Sequence, residues 1–368
     1  MSEEIKNLNE QPEQAPVEEK LEAPKKPLDK KTIGIIAGAA AAVLVLVLVL
    51  VLALGGAKDY TLGMGAAFGT MNGSQTNITL ATVVLDKDGK IVECRIDVVQ
   101  NKYKVEDKVN FTVLDTKMEL GDKYGMAGKV DNNNDGVMLE WYEQTKAFEA
   151  YVVGMTADQV KALETQEVNA HNISKDEALL SAGCTIDITD FKAAVVKACT
   201  DEYAVAFKAK DFTLGIAANS ADNGSSVADG KATVKMNVDF AASVVANGKI
   251  VASLNDAAQP QINIDGENIT ASAGKNADPM TKRELKGDYG MEGKVDNNKD
   301  GVMLEWFEQS AAFSAYVIGL TGEQVNGLET QEVNAHNIST DEALLSAGCS
   351  IDISGIKAVV AESVANAR

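Results

Sequence analysis

A long internal repeat constrains the fold of this 368-residue chain more than any other feature. The stretch LETQEVNAHNISKDEALLSAGC from Leu163 recurs from Leu328 with one change. Landmarks separated by 165 residues include Asp131 with Asp296, Trp141 with Trp306, His171 with His336 and Cys184 with Cys349. A period of this length predicts tandem domains and not a solenoid. We place them at residues 57–205 and 206–368, because DYTLG near the start of the first is echoed by DFTLG near the start of the second.

An uncharged apolar run precedes the repeats, from Ile33 to Leu54. It is long enough to cross a hydrocarbon core of about 30 Å as a helix, so we predict a transmembrane helix over residues 32–56. Four lysines lie just before the run and one closely follows it. This asymmetry places the N-terminus in the cytoplasm and both repeats outside the cell membrane, as a single-pass protein. A cleaved signal peptide is the alternative, although the run exceeds the usual length of its apolar region.

Composition and charge further restrict the class of protein. Residues 1–31 are rich in Glu, Lys, Pro and Gln and predict a disordered cytoplasmic tail. The formal net charge of -20 lies mostly in the repeats. Nucleic-acid binding is therefore not expected, because it depends on clustered Lys and Arg. The apolar fraction of 45% is sufficient for each repeat to bury a core.

Within each repeat, alternating β-branched runs come first and helical periodicity follows, which predicts an α+β fold with a small antiparallel sheet and helices. Two β-hairpins are indicated, with turns at Asp86–Lys90 and at Asn247-Gly248. Trp141, Phe148 and Val152 have the spacing of one helix face and predict an amphipathic helix on the sheet. Capping boxes at Thr156 and at Ser174 predict the starts of two shorter helices.

An acidic, asparagine-rich turn occurs once in each repeat, as DNNNDGV from Asp131 and DNNKDGV from Asp296. Its spacing matches the first half of a calcium loop, with oxygen donors at alternating positions, then glycine and a backbone carbonyl. Tyr142 occupies the position of the usual bidentate carboxylate, so a neighbouring glutamate has to complete the shell. The predicted calcium ligands are Asp131, Asn133, Asp135, Val137 and Glu140 in the first repeat, and Asp296, Asn298, Asp300, Val302 and Glu305 in the second.

The same residues also fit an Asx-type turn that caps the following helix, since Asn and Asp bond their own backbone and tolerate left-handed angles. The glycine-rich GDKYGMAGK before the first loop gives no helix signal. Lys299 replaces Asn134 in the second repeat, and its charge should weaken a cation site. Calcium loop and simple turn are therefore both open, with the first repeat the stronger calcium candidate.

A second motif closes each repeat, as LLSAGCTIDITDFKAAVVKA from Leu179 and LLSAGCSIDISGIKAVVAES from Leu344. This end resembles the bacterial FMN-binding domain family, in which a Ser-Gly-Ala-Thr type motif precedes a final amphipathic helix and its Thr can hold FMN through a phosphoester. The hairpin with its DGK turn and the glycine-rich TLGMGAAFG are similar to that family as well. More closely, TKMELGDKYGM and TKRELKGDYGM with the later EWYEQ and EWFEQ resemble extracytoplasmic bacterial proteins regarded as its distant relatives.

The resemblance covers most of each repeat in the order of elements and implies a flavin site. The implied residues are Ser181, Cys184 and Thr185 in the first repeat and Ser346, Cys349 and Ser350 in the second. Thr185 and Ser350 are the hydroxyls that could carry a phosphoester. Cys184 lies where the family has its acceptor run, and the glycine is displaced. The alternative is that SAGC forms the C-terminal turn of a short helix with a buried cysteine.

The sequence gives little indication of a zinc site or of a catalytic site. Glu167 and His171 are four residues apart and would share one face of a helix, but two ligands are too few for zinc. The sequence contains no nucleophile elbow, P-loop, dinucleotide fingerprint or HExxH motif. Two hypotheses follow, neither of which requires an enzyme. One is a cell-surface module that binds flavin or another small ligand, with possible electron transfer, and the other is a calcium-stabilised structural or interaction protein of the envelope.

Overall fold

The computed structural model describes residues 56–129, 131–273, 279–294 and 296–368. The predicted cytoplasmic tail lies outside these residues, and so does the predicted transmembrane helix except for Gly56. None of the described helices combines the length and apolar character needed to cross a membrane. Both repeats combine antiparallel sheets with helices, so the predicted α+β class is confirmed.

The first sheet contains five antiparallel strands. They are β1 (Lys58–Met71), β2 (Gln75–Leu85), β3 (Ile91–Val105), β4 (Val109–Val113) and β7 (Val205–Ala209). The order across the sheet is β4-β3-β2-β1-β7. The predicted hairpin is confirmed as β2 and β3, which pair from Gln75 with Lys102 to Leu85 with Ile91. Strand β7 follows the last helix of the first repeat and pairs with β1.

The second sheet contains six strands, and the longest of them lies at its centre. They are β8 (Thr213–Asp222), β9 (Ser226–Ala228), β10 (Lys231–Ala246), β11 (Lys249–Ala258), β12 (Pro260–Asp265) and β13 (Asn268–Ala273). One half of β10 pairs with β8 and β11, and the other half pairs with β9 and β12. The predicted turn at Asn247-Gly248 joins β10 to β11, with both residues at positive φ as a tight hairpin turn requires.

The helices follow the strands in the same order in both repeats. In the first repeat they are α1 (Lys117–Leu120), α2 (Trp141–Tyr151), α3 (Ala157–Lys161), α4 (Glu177–Ser181) and α5 (Thr189–Cys199). In the second they are α6 (Lys282–Leu285), α7 (Trp306–Tyr316), α8 (Gly322–Asn326), α9 (Glu342–Ser346) and α10 (Ser354–Ala365). Each repeat also has a short hairpin, β5 (Thr165–Val168) with β6 (His171–Ser174), and β14 (Thr330–Val333) with β15 (His336–Ser339).

Local sequence signals were correct at some helix starts and wrong at others. The Thr156 capping box is confirmed. The Thr156 hydroxyl accepts from Gln159 N, and Gln159 Oε1 accepts from Thr156 N. The Ser174 box is wrong, because Asp176 is the N-cap of α4 and Ser174 ends β6. The Ser174 hydroxyl instead accepts from Asp176 N. His171 also lies in a strand, so it does not share a helix face with Glu167.

One apolar cluster lies between the two sheets. It includes Leu62, Ile78, Leu80 and Val84 from the first sheet and Leu214, Val238, Phe240 and Val244 from the second. A fully buried side chain of this kind contributes about 1.5–3 kcal/mol relative to an exposed one. Residues 56–368 form one compact unit, in which the repeats share this cluster.

The other face of each sheet is covered by helices of its own repeat. In the first repeat Trp141, Phe148 and Val152 are buried in one cluster with strand residues of β2 and β3, as the helical spacing predicts. In the second repeat Trp306, Phe313 and Val317 are buried with Ala241, Ile250 and Ala257. Both sheets are therefore covered on both faces, which explains the continuous burial of β2.

Candidate functional site

The hydroxyl groups implied as flavin carriers lie in the protein interior. Thr185 is fully buried, its N–H donates to Gln144 Oε1 at 2.8 Å, and its Oγ1 lies 3.3 Å from the same oxygen. Ser350 repeats this arrangement with Gln309 at 2.8 and 3.5 Å. These bonds attach the segment after SAGC to helices α2 and α7.

The remaining residues of the implied flavin set have two different environments. Ser181 and Ser346 are exposed at the ends of α4 and α9. Cys184 and Cys349 are fully buried and unpaired. Burial raises the pKa of each of these thiols to about 12, so they are inert at neutral pH.

The asparagine-rich loops form Asx-type turns in both repeats. The N–H groups of Asp135 and Gly136 donate to the two carboxylate oxygens of Asp131 at 3.2 and 3.0 Å. Val137 N donates to Asp135 Oδ1 at 2.7 Å, and Asn134 has φ of 57°. The second repeat has the same bonds, to Asp296 from Asp300 and Gly301 and to Asp300 from Val302.

The predicted glutamate ligands have backbone partners of their own. The Glu140 carboxylate accepts from Met126 N and Ala127 N at 3.0 Å and also takes part in the capping box of α2. Glu305 accepts from Met291 N and Glu292 N in the same way. Within the described part of the chain, no three His, Cys, Asp or Glu side chains form a group that could hold a metal ion.

One oxygen in each loop has no partner. Asn133 Nδ2 donates to Asp135 Oδ2 at 2.7 Å, whereas Asn133 Oδ1 is buried and accepts no hydrogen bond. Asn298 Oδ1 has the same status in the second repeat. A buried amide oxygen without a donor costs about 1–3 kcal/mol. The unpartnered oxygen occurs in both repeats and is therefore a property of the loop structure.

The loop and the SAGC motif are neighbours in space. Asn132 Nδ2 donates to the carbonyl oxygen of Thr185 at 2.8 Å, and Asn297 Nδ2 donates to that of Ser350 at 2.8 Å. Both asparagines are buried. The two motifs that the sequence singled out separately therefore form one substructure in each repeat.

A lysine held between two aromatic rings adjoins this substructure. Lys117 Nζ lies 4.9 Å from the Tyr124 ring centroid and 5.2 Å from the Trp141 ring. Lys282 Nζ lies 5.1 Å from Tyr289 and 5.0 Å from Trp306. The two lysines are only 9% and 8% exposed. Among the described residues, no carboxylate oxygen lies within 4 Å of either ammonium.

A carboxylate interacts with each lysine from a greater distance. In the first repeat burial lowers the pKa of Lys117 to about 8, and the charges of Asp97 and of Asp190, at the start of α5, oppose that shift. In the second repeat the helix position of Asp190 is Gly355, and the acid is Asp239 on β10. Burial raises the pKa of Asp190 and of Asp239, and the lysine opposes the shift in both.

Asp190 lies on a helix and Asp239 on a strand, and a glycine gives each carboxylate room. A Cβ on Gly69 would lie 2.5 Å from Asp190 Oδ2, and a Cβ on Gly355 would lie 2.1 Å from Asp239 Oδ2. The strand position of Asp239 is Thr79 in the first repeat, since they pair with equivalent residues of β3 and β11. Asp190 and Asp239 therefore act on the two lysines from positions that the repeat does not relate.

In the second repeat the lysine lines a cavity of about 550 Å³. Its wall includes Asn237, Asp239, Gln259, Lys282, Tyr289 and Trp306. Asn237 Nδ2 donates to Asp239 Oδ2 at 2.8 Å, and Gln259 Nε2 donates to Asn237 Oδ1 at 3.1 Å. The cavity also reaches Asn297, within the predicted calcium loop, and Ile351, which follows Ser350 of the predicted flavin segment. Its volume is in the range of small-molecule sites.

No family model matches the chain, and neither curated proteins nor solved structures show a significant match.

The Lys–Tyr–Trp group was missed by sequence reasoning, although a signal for it exists. Lys and Tyr recur at the repeat spacing within TKMELGDKYGM and TKRELKGDYGM, whereas several residues between them differ. The contact with tryptophan could not be read from the sequence, because α1 and α2 are brought together only by the fold.

Proposed function

We propose that the protein is a membrane-anchored, noncatalytic ligand-binding module of the cell surface, built from two tandem copies of one domain. The copies would follow a transmembrane helix at residues 32–56 and lie outside the membrane, with the N-terminal tail in the cytoplasm. The ligand is a small molecule held in the cavity of the second repeat.

The observation that carries this proposal is the Lys282 ammonium at the wall of that cavity. A buried charge is costly unless it is paired, and within the described residues the partners of the Lys282 ammonium are two aromatic faces and the more distant Asp239. A polar or anionic group of a ligand in the cavity would complete its environment. The amides of Asn237 and Gln259 offer further hydrogen-bonding groups on the same wall.

Flavin is the first ligand to test, because the cavity adjoins the segment that resembles the flavin motif and is lined by Tyr289 and Trp306. The binding we propose is noncovalent, since the Ser350 hydroxyl is buried against Gln309. An isoalloxazine ring can stack on aromatic side chains and can bond amides through its carbonyl and N–H edge. Such a module could bind flavin for electron transfer or for sensing.

We expect the full chain in detergent to bind FMN or riboflavin, and Lys282→Met to weaken that binding at least tenfold, about 1.4 kcal/mol. The measurement is a titration followed by visible flavin absorbance and by tryptophan fluorescence. Lys117→Met is the matched control in the first repeat and should leave the affinity within twofold. Equal losses in both variants, or no binding of either flavin, would remove the flavin assignment.

A calcium-stabilised envelope protein is the second candidate function. It is favoured by the unpartnered oxygens Asn133 Oδ1 and Asn298 Oδ1, which lie in the loops that match half of a calcium site. A hard cation takes six to eight oxygens and could bind such an oxygen together with loop carbonyls and water.

We expect Asn133→Ala to affect stability in opposite directions without and with bound calcium. Without calcium it should be neutral or slightly stabilising, since an unsatisfied buried oxygen is removed. With calcium at one hundred times its Kd, the wild-type chain should gain about 2.7 kcal/mol, and the variant should lose most of that gain. Thermal melts with calcium and with chelator measure both. Asn298→Ala should lose less of the calcium-dependent stabilisation, because Lys299 weakens calcium binding by the second loop. A melting temperature of the wild-type chain that does not depend on calcium would eliminate this function.

A further inference from the structure

The end of the two sheets at which β1 begins collects turns from both repeats. Lys58 at the start of β1 pairs with the end of β7, and the β2–β3 turn lies at the same end. The rings of Tyr60, Phe207 and Phe212 pack with centroids 5.1–5.6 Å apart, which places the start of β8 and the adjacent β10–β11 turn there as well. We call this part the lysine-rich end, and it comprises residues 56–60, 86–90, 208–212 and 247–249.

The lysine-rich end differs in charge from the chain as a whole, whose formal net charge is -20. It contains four aspartates and six lysines, namely Lys58, Lys87, Lys90, Lys208, Lys210 and Lys249. All six lysines are exposed. Asp88 pairs with Lys87 and Asp59 with Lys208, whereas no carboxylate oxygen of the described residues lies within 4 Å of the other four ammonium groups. Positive charge is therefore in excess at one end of an acidic protein.

An apolar loop adjoins this end in the first repeat. Gly154 N donates to the carbonyl oxygen of Ile91 at 2.7 Å, and Ile91 N donates to that of Met155 at 2.9 Å. These two bonds hold the loop after α2 beside Lys90, the residue before Ile91. Val153 in this loop is 47% exposed. The backbone thus keeps a large apolar side chain in contact with solvent next to a lysine.

The second repeat has the same loop in the same place. Gly319 N donates to the carbonyl oxygen of Ile250 at 2.8 Å, and Ile250 N donates to that of Leu320 at 2.9 Å. The loop lies beside Lys249, and its apolar residues Ile318 and Leu320 are half-buried. Each repeat therefore contributes an apolar loop next to a lysine. Apolar side chains flanked by lysines are typical of surfaces that lie in the headgroup region of a bilayer.

The order of the chain relates this end to a membrane, and here the inference rests on the anchor proposed above. The apolar run that we propose as the anchor ends at Leu54, and β1 begins at Lys58. Fully extended, that connection reaches no more than about 14 Å, at about 3.6 Å per residue. Strand β1 is 14 residues long, so its other end lies about 40 Å further along the strand. The lysine-rich end is the end that can reach the bilayer.

We propose that the lysine-rich end binds the anionic lipid surface of the membrane that the chain itself spans. The lysines would contact headgroup phosphates, and the loops at Val153 and Ile318 would enter the headgroup region. Charge complementarity orients the protein, because an anionic surface attracts this end and repels the acidic remainder. The half-buried rings of Tyr60 and Phe212 fit the same position, since aromatic side chains are enriched at membrane interfaces.

The test uses the full chain in vesicles of phosphatidylcholine and phosphatidylglycerol whose brominated acyl chains quench tryptophan fluorescence. Both native tryptophans are buried, so the wild-type chain gives the background. Val153→Trp should be quenched at least twofold more strongly than the wild type. Ile269→Trp is the matched control and should stay at the background. Ile269 is 41% exposed and packs against Gly73 in the β1–β2 turn, at the other end of β1.

The role of charge is tested by Lys90→Gln with Lys249→Gln in the Val153→Trp chain. Both lysines are exposed, so the fold should be kept, and the additional quenching should fall at least twofold. Vesicles of phosphatidylcholine alone should reduce it equally with the lysines present. Quenching that neither change reduces, or that depends on the protein-to-lipid ratio and not on lipid charge, as self-association would give, overturns the proposal.

Alkaline extraction of the same vesicles tests the anchor separately. A chain that is extracted overturns the anchor and this inference with it. A chain that stays in the membrane while Val153→Trp is quenched no more than Ile269→Trp overturns this inference alone.

Discussion

Replacing Arg283 by methionine is expected to lower the free energy of unfolding by about 3–5 kcal/mol, the usual cost of breaking a buried ion pair. The Arg283 and Asp201 side chains are only 6% and 7% exposed, and both oxygens of the carboxylate bond the guanidinium. Without arginine, Asp201 is left buried with backbone donors alone, from Met64 N and Tyr203 N. Arg283 lies in the second repeat and Asp201 follows the last helix of the first, so the substitution removes an ion pair between the repeats.

The first repeat supplies the control for this variant. Met118 and Asn366 occupy the positions of Arg283 and Asp201 in the repeat, and both line a cavity of about 470 Å³. The double variant Asp201→Asn, Arg283→Met copies that neutral pair and should recover most of the lost stability, because no uncompensated charge stays buried. Urea unfolding at neutral pH measures both. A double variant as unstable as Arg283→Met would show that the ion pair is not the cause.

Gly215→Ala is expected to destabilise the protein by about 3 kcal/mol, at the upper end of the usual range for overpacking. A Cβ at this position would lie 1.8 Å from the carbonyl oxygen of Ser363 and 2.8 Å from Ala367 N. These are backbone atoms at the end of α10, so the helix itself would have to move away from β8. Gly63 has the same relation to α5, with Ala198 O at 2.0 Å, and explains the glycine of both TLG motifs.

Gly287→Ala is the matched control for Gly215→Ala. Gly287 has no atom within 4 Å of its Cβ position and no positive φ, so its replacement should change stability by no more than about 0.5 kcal/mol. Urea unfolding followed by tryptophan fluorescence compares the two variants, and Trp306 reports on the second repeat. Equal stability of both variants would show that β8 and α10 can separate without cost.

Short-range patterns predicted the local parts of the fold. The hairpins at Asp86–Lys90 and Asn247-Gly248, the Thr156 cap and the buried face of Trp141, Phe148 and Val152 depend on neighbours a few residues away. The Ser174 cap failed because Asp176 offered a carboxylate closer to the helix start. Strands β5 and β6 were missed because Glu167 and His171 also had helical spacing, and the turn at Asn169-Ala170 with positive φ gave no glycine signal.

The candidate sites could be predicted only in part. The loop at Asp131 and the segment at Thr185 were singled out from their motifs, but their contact through Asn132 depends on residues 53 positions apart. The lysine between Tyr124 and Trp141 has no motif, since its burial comes from the packing of α1 against α2. The calcium and flavin assignments remain predictions.

The sequence by itself determined the duplication, the α+β class, the hairpin turns at Asp86–Lys90 and Asn247-Gly248 and the Thr156 cap, because these depend on backbone preferences and on side chains a few residues apart. Only the tertiary structure decided that the two sheets bury a common cluster between them and which charges are paired. Lys197 and Glu362 occupy the same place in two copies of one sequence pattern, yet one finds a glutamate across the boundary between the repeats and the other faces a like charge. Burial and ion pairing act between residues that are distant in the chain, so they follow from the packing of the two sheets and not from either copy alone.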